Sequence, residues 1–154
     1  MTKKSYGRLI LGGHEFQVKD CGMTKFYIFD NDEDIDEERD IITKTVSMEV
    51  SFEKGRFGAE EIAPRLNINE FSTNKTAIGE MIGMEFEVAS VDEAYEREDS
   101  LYVFEHEPLV NYKWTIIGVE DNLVHVKISG TAITDGYSKP PKIAGFEGEF
   151  RLAF

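Results

Sequence analysis

Carboxylate side chains alternate along residues 30–40, and their spacing raises the possibility of calcium chemistry. Every second position of this run carries an acid: Asp30, Asp32, Asp34, Asp36 and Glu38. An EF-hand loop also takes calcium ligands from alternate positions, but it needs a central glycine and a final bidentate glutamate. Ile35 and Ile41 occupy those two positions. The pattern therefore favours a flexible acidic loop, and calcium binding through residues 30–40 stays open as an alternative.

Other reactive side chains do not form a recognisable catalytic or metal-binding pattern. The histidines are His14, His106 and His125, and no HExxH, CxxC or close histidine pair accompanies them. A zinc site needs three or four converging ligands, so we expect no metal site at the histidines. The sequence also lacks a GxSxG elbow, an SxxK pair and a glycine-rich phosphate loop. We therefore expect a protein that is not an enzyme and has no cofactor.

The negative charge of the chain is concentrated in two acidic segments, residues 30–40 and residues 92–107. The full chain has 154 residues and a net charge of −13. Eight acids and one arginine give the first segment −7, and seven acids and one arginine give the second −6. The rest of the chain, with fifteen acids and fifteen bases, is neutral. Solvated loops that keep the protein soluble would explain both segments, but a recognition surface for a basic partner would explain them too.

This charge distribution excludes some partners and favours others. Nucleic acids and anionic membranes are bound through lysine and arginine, so neither is an expected partner. A basic protein is the natural counterpart of both segments. The candidate partner-binding residues are the acids Asp32, Asp34, Asp36, Glu37, Glu38, Glu93, Glu96, Glu98 and Asp99, together with Tyr137.

Tyr137 is included because of the segment that contains it. Residues 131–143, TAITDGYSKPPKI, combine turn residues with two prolines and two lysines. A long ordered connection of this kind can carry recognition, with Tyr137 as its anchor. A plain crossover between sheets is the simpler interpretation.

The segments that must position these residues are mostly strands. Val46, Met48 and Val50 alternate with polar residues, which predicts a strand with one buried face. Val110–Ile116 and Val124–Ile128 predict a hairpin that turns at Asp121-Asn122, with a bulge before Gly118. The C-terminal alternation places Phe146, Gly148, Phe150, Leu152 and Phe154 on one face. Further strands are expected at 8–11, 15–18, 25–29, 66–71, 84–89 and 101–104.

Helix signals are few and short. Ser90 followed by Glu93 matches a capping box, and Glu93 with Arg97 forms an i,i+4 pair, so a helix is predicted over residues 91–98. Residues 59–63 predict one helical turn that ends at Pro64, and residues 76–82 predict another. The expected fold is mostly β: an antiparallel sandwich or barrel of about eight or more strands with one to three short helices.

Length and composition set the remaining expectations. A chain of this size folds as a single domain, residues 1–154, and its apolar fraction of 41% is sufficient for a core. Cys21 is the only cysteine, which excludes an intrachain disulfide and suits a reducing compartment. The N-terminal apolar stretch is too short for a signal peptide, so we expect a cytoplasmic protein.

Three stretches carry a resemblance to known proteins: EREDSLYVFEHEPL and VHVKISGTAITDGY, followed by FEGEF, all between Asp92 and Phe150. They resemble small acidic β-rich bacterial proteins, some of which look like immunity proteins of toxin systems. The resemblance covers about 60 residues and includes no diagnostic motif. It implies a protein that neutralises a partner by binding it, and it assigns a role to no individual residue.

The leading hypothesis is therefore a binding module for a basic protein, acting by steric blockade and charge complementarity from Asp30–Asp40 and Glu93–Glu107. The alternative from a different class is a small-molecule carrier, in which the inward-facing phenylalanines line an apolar cavity in a barrel. The oligomeric state is left open.

Overall fold

The computed structural model describes residues 6–31 and 42–154. In these ranges the chain forms twelve strands, one α-helix and one 3-10 helix, so the predicted mostly β class is confirmed. The strands are β1 Gly7–Leu11, β2 His14–Gln17, β3 Lys25–Asp30, β4 Lys44–Ser51, β5 Gly55–Phe57, β6 Glu60–Ile62, β7 Arg65–Ser72, β8 Glu85–Val88, β9 Ser100–Tyr102, β10 His106–Glu120, β11 Leu123–Asp135 and β12 Lys142–Ala153; the helices are α1 Val91–Arg97 and the 3-10 helix Ile78–Met81.

Ten of these strands belong to one antiparallel sheet. Nine of them follow in the order β2-β1-β12-β11-β10-β9-β7-β4-β3, and the tenth, β8, pairs with β10. Strands β5 and β6 form a separate hairpin. The long strand β10 has two neighbours on the side away from β11. Its start, His106–Pro108, pairs with β9, whereas its middle, Tyr112–Thr115, pairs with β8. The sheet therefore divides on this side of β10, and β9 and β8 lie on either side of a gap that we call the fork. Residues outside the strands must fill the fork.

The sheet curls until the chain just beyond β2 meets the chain just beyond β4. An isolated bridge joins Val18 to Phe52, and the backbone N–H of Lys19 donates to the Ser51 carbonyl at 2.8 Å. The inward faces of the two halves thus pack against each other and enclose one core, in agreement with a sandwich or barrel architecture.

The core contains the side chains that the alternation predicts to be buried. Val46, Met48 and Val50 are fully buried, and so are Phe150 and Leu152. Trp114 lies at the centre of an aromatic group, with Phe86 stacked at 4.2 Å, Phe71 at 6.0 Å and Phe26 at 6.2 Å between ring centroids.

The C-terminal strand β12 contains the residues that the carrier hypothesis would place in the lining of a cavity. The Phe150 ring covers Gly148, where an added Cβ would lie 2.3 Å from its Cζ. The same ring packs on Phe52 at 5.6 Å. Dry packing of this kind is typical of a core rather than a lined pocket. Phe154 departs from the predicted face, because β12 ends at Ala153 and the last side chain is exposed.

The predicted hairpin between β10 and β11 is confirmed. Asp121 and Asn122 both have positive φ, 50° and 64°, as a type I′ turn requires. The register shifts between Ile116 and Gly118, where the bulge was predicted. A second shift, between Leu109 and Asn111, was not predicted from the sequence.

Two local predictions are wrong. Residues 59–63 do not form a helical turn, because Glu60–Ile62 pairs with Gly55–Phe57 through a turn in which Gly58 has a φ of 62°. Residues 131–143 are mostly strand rather than a long connection, since β11 continues to Asp135 and β12 begins at Lys142. In contrast, the helical turn expected at residues 76–82 is present as the 3-10 helix.

Gly130 lies opposite Tyr112, where β10 and β11 approach each other closely next to the second bulge. An added Cβ there would lie 2.3 Å from the Asn111 carbonyl oxygen and 2.8 Å from the Tyr112 Cα. We expect Gly130→Ala to lower the free energy of unfolding by about 1–3 kcal/mol, because backbone atoms cannot yield as a side chain can. Urea denaturation measures this loss. Gly79→Ala, which meets open space, should change stability by less than about 0.5 kcal/mol; equal effects of the two substitutions would show that the close backbone contact at Gly130 does not affect stability.

Candidate functional site

Helix α1 carries part of the second acidic segment, and its ends are fixed by local interactions. The Ser90 hydroxyl accepts a hydrogen bond from the Glu93 backbone N–H at 3.2 Å, as the capping box predicted. Glu98 ends the helix in a left-handed conformation with φ of 60°, and its N–H donates to the Tyr95 carbonyl at 3.1 Å. The short helix is therefore capped at both ends by its own sequence.

The C-terminal end of α1 fills the fork in the sheet. Strand β9 pairs with β7 only along Arg65–Asn67, so the next residues of β7 have no strand beside them on that side. The Arg97 guanidinium donates to the Asn69 carbonyl at 3.0 Å and to the Glu70 carbonyl at 3.1 Å. The Asn69 side-chain amide in turn donates to the carbonyls of Arg97 and Glu98, both at 2.9 Å. Side chains thus take over the backbone pairing that a strand would provide.

Asp99 connects this arrangement to the core. Its side chain is fully buried, and its carboxylate accepts from Arg97 Nε at 2.6 Å, from the Asn69 backbone N–H at 2.7 Å and from the Tyr112 hydroxyl. The Arg97 guanidinium also lies 3.7 Å from the Phe71 ring centroid. Asp99 was predicted to bind a partner from the surface, but its carboxylate is buried and engaged within the chain. It is a positioning residue for α1.

A groove lies beside α1 on the outer face of the sheet, with a volume of about 450 Å³. We call it the α1 groove. Its floor follows the strand register: Glu49 of β4 is opposite Asn67 of β7, and Asn67 is opposite Ser100 of β9. Arg65 lies two residues before Asn67, at the start of β7, where it is next to Tyr102 of β9 and close to the start of β10. We call this the lower end of the groove.

The upper end of the α1 groove is formed by the helix. Tyr95 and Glu98 line it there, and Met23 and Pro108 line it elsewhere. Tyr95 is 70% exposed, which is unusual for a large aromatic side chain beside a cavity. The groove therefore combines apolar contact area with opposite charges, Arg65 on one side and Glu49 and Glu98 on the other.

The predicted acids of the second segment do cluster, with one exception. Glu93, Glu96 and Glu98 are all exposed on or next to α1, and so is Asp92. Asp99 is the exception described above. The predicted pair between Glu93 and Arg97 does not form, because Arg97 turns inward to Asp99.

Tyr137 lies in the segment between β11 and β12. It follows β11, is 79% exposed, and its backbone N–H donates to Asp135 at 3.0 Å. The preceding Gly136 packs on the Glu107 carboxylate, where an added Cβ would lie 2.2 Å from Oε1. Glu107 also lines the α1 groove. Its carboxylate therefore lies between the groove and the loop that contains Tyr137.

The predicted acids of the first segment, Asp32, Asp34, Asp36, Glu37 and Glu38, lie outside the described residues. Its described flanks are Asp30, which pairs with Lys44, and Asn31, whose amide donates to the Thr73 carbonyl at 3.4 Å. The calcium hypothesis falls on the same segment. Within 6–31 and 42–154, no group of three or more His, Cys, Asp or Glu side chains is arranged to hold a metal ion.

Arg65, Asn67 and Tyr95 were not predicted as site residues from the sequence. The alternation of Arg65 and Asn67 with buried Leu66 and Ile68 does indicate an outward face. It does not indicate which strands or helix lie beside that face, and the groove exists only through those neighbours.

Comparisons with known proteins add no relative: no family model matches the sequence, and neither a curated protein nor a solved structure does. In the described part of the chain, no helix has the length and apolar character needed to span a membrane.

Asp99 provides a test of how α1 is held. We expect Asp99→Ala to lower the free energy of unfolding by about 3–5 kcal/mol, because it leaves the buried donors of Arg97, Asn69 and Tyr112 without their acceptor. Urea denaturation followed by circular dichroism measures the loss. Asp92→Ala, at an exposed position on the same helix, is the control and should cost less than about 1 kcal/mol. A near-neutral Asp99→Ala would show that the buried network does not hold the helix.

Tyr112 gives the same network a dependence on pH. Burial raises the pKa of the Tyr112 hydroxyl, and its hydrogen bond to Asp99 raises it further. An unfolded tyrosine ionises near pH 10, so this contribution to stability is complete below about pH 10 and decreases as the pH rises above it. We expect the free energy of unfolding to fall there by up to about 1.4 kcal/mol per pH unit more than in Tyr112→Phe. Urea titrations at several alkaline pH values measure both slopes; parallel slopes would contradict this.

Proposed function

We propose that this protein is a binding module for a basic protein partner and that α1 and the α1 groove form its contact surface. The observation that carries the proposal is the position of Tyr95. Its ring is 70% exposed, lies beside a groove of about 450 Å³ and stands among carboxylates. Asp92 is one helical turn before it, Glu96 follows it directly, and Glu98 ends the helix.

Exposed tyrosines are frequent anchors of protein interfaces because they offer a large contact area at a low cost in side-chain entropy. The neighbouring carboxylates favour a basic partner over a neutral or an acidic one. Both features depend on a helix that does not move. The Arg97 and Asp99 network holds α1 against β7 and β10, so little ordering free energy is lost on binding.

The negative charge also acts before contact. A net charge of −13 accelerates the approach of a basic partner at low salt, and this effect weakens as salt screens the charges. Covering the partner's working surface would neutralise it, as proteins of the toxin-immunity type do. A cytoplasmic location is part of the same proposal, and the single cysteine supports it.

Capture of a partner by matched variants tests the proposal. The immobilised chain is exposed to lysate at low salt, and the retained basic protein is identified and its binding measured by surface plasmon resonance. We expect Tyr95→Ser to weaken binding about tenfold, as loss of an interface anchor does. We expect the double variant Asp92→Asn, Glu96→Gln to slow association and to reduce its dependence on salt.

Two controls separate this surface from general acidity. Glu60→Gln with Glu61→Gln removes two exposed carboxylates of β6, and it should leave affinity within about twofold of the original. Tyr137→Ser removes a tyrosine of similar exposure and should also have little effect. If Tyr137→Ser abolishes binding while Tyr95→Ser does not, the contact surface is the loop between β11 and β12, and the proposed surface is wrong.

A further inference from the structure

Arg65 is the one feature of the α1 groove that a purely acidic recognition surface does not explain. Its side chain is half-buried on the floor of the groove. Among the described residues it takes part in no ion pair or side-chain hydrogen bond. Within the same described ranges, the neighbouring side chains of Asn67 and Ser100 also have no hydrogen-bond partner. A guanidinium and two neutral polar groups thus face the groove without a hydrogen-bond partner among the described residues.

The charges of the groove are separated along β7. Arg65 lies at the lower end, and Glu98 lies at the upper end, where its carbonyl accepts from the Asn69 side chain. Four residues of an extended strand separate Arg65 from Asn69, a distance of about 13 Å. Asn67, between them, is the row where Glu49 and Ser100 also lie. The groove therefore has Arg65 at one end, the Glu49 carboxylate beside two neutral polar side chains in the middle, and Glu98 at the other end.

We propose that the α1 groove binds an extended segment of the protein partner that places a basic side chain at Glu98 and Tyr95 and an acidic side chain, four residues away, at Arg65. This inference rests on the proposed function and specifies the segment it recognises. In an extended chain, residues four apart point to the same side and are separated by about 13 Å, which matches the two ends of the groove. Arginine recognises carboxylates by paired, charge-assisted hydrogen bonds, and Asn67 and Ser100 can pair with the segment's backbone.

The two possible roles of Arg65 predict effects of opposite sign. If only net charge matters, Arg65→Gln makes the protein more negative and strengthens its binding to anything basic. If Arg65 binds a carboxylate, the same substitution weakens binding. Charge and specific contact are therefore separable at this residue, which is not the case for any single carboxylate of α1.

The experiment uses three capped peptides, Arg-Ala-Ala-Ala-Glu, Arg-Ala-Ala-Ala-Gln and Gln-Ala-Ala-Ala-Glu, at millimolar concentration. Binding is followed through the amide NMR shifts of Asn67 and Ser100 in the full chain. We expect the first peptide to bind about three- to tenfold more tightly than either of the others. Arg65→Gln should abolish the preference for glutamate over glutamine at the last position, which is the signature of a direct pair in a double-mutant cycle. Arg56→Gln, at an exposed arginine of β5, is the matched control and should preserve that preference.

Three outcomes would overturn the inference: no shift with any peptide, equal binding of the glutamate and glutamine peptides, or tighter binding of all peptides by Arg65→Gln. None of these alters the partner-capture result with Tyr95→Ser. The proposed function therefore fails or survives separately from the inference about Arg65.

Discussion

A buried carboxylate in the fork of the sheet is the constraint on which the rest of the structure depends. Taking the Asp99 carboxylate out of water costs several kcal/mol unless donors surround it. Those donors come from three elements: Arg97 from the end of α1, the Asn69 backbone from β7 and the Tyr112 hydroxyl from β10. The requirement is reciprocal, because the β7 carbonyls beside the fork also need Arg97. Sheet and helix therefore satisfy each other, and neither arrangement is complete alone.

This constraint connects the core to the surface. Tyr112 belongs to β10, whose next inward-facing residue is Trp114 at the centre of the aromatic group. Arg97 lies between the Phe71 ring and the carbonyls of β7. The exposed residues of α1 follow from this anchoring, since a helix of seven residues would not be stable in isolation. The positions of the charged side chains around Tyr95 thus depend on the contacts that Arg97 and Asp99 make beneath the helix.

Much of the fold could be predicted because its determinants are local. Alternation identified the buried face of Val46–Val50, and Ser90 with Glu93 identified the start of α1. The turn at Asp121-Asn122 was equally visible. Prediction failed where the determinant is distant in sequence. Asp99 was grouped with surface acids because its neighbours are charged, whereas its burial depends on Tyr112, thirteen residues away. Residues 59–63 are a different case, because their determinant is local: they pair with Gly55–Phe57 through the turn at Gly58, whereas the helical turn was predicted from the position of Pro64.

Recognition of a protein partner depends on where the charges lie as well as on their sum. Asp99 and Arg97 cancel inside the second acidic segment, so its net −6 comes from the six remaining carboxylates. At long range an approaching protein experiences mainly the net charge, because the fields of neighbouring opposite charges cancel with distance, and salt weakens this attraction beyond about 8 Å. At contact, Arg65 and Glu98 lie at opposite ends of the α1 groove, so a bound segment meets each charge separately. In the proposed complex, approach therefore selects for basic partners in general, and contact then selects among them by the spacing of opposite charges.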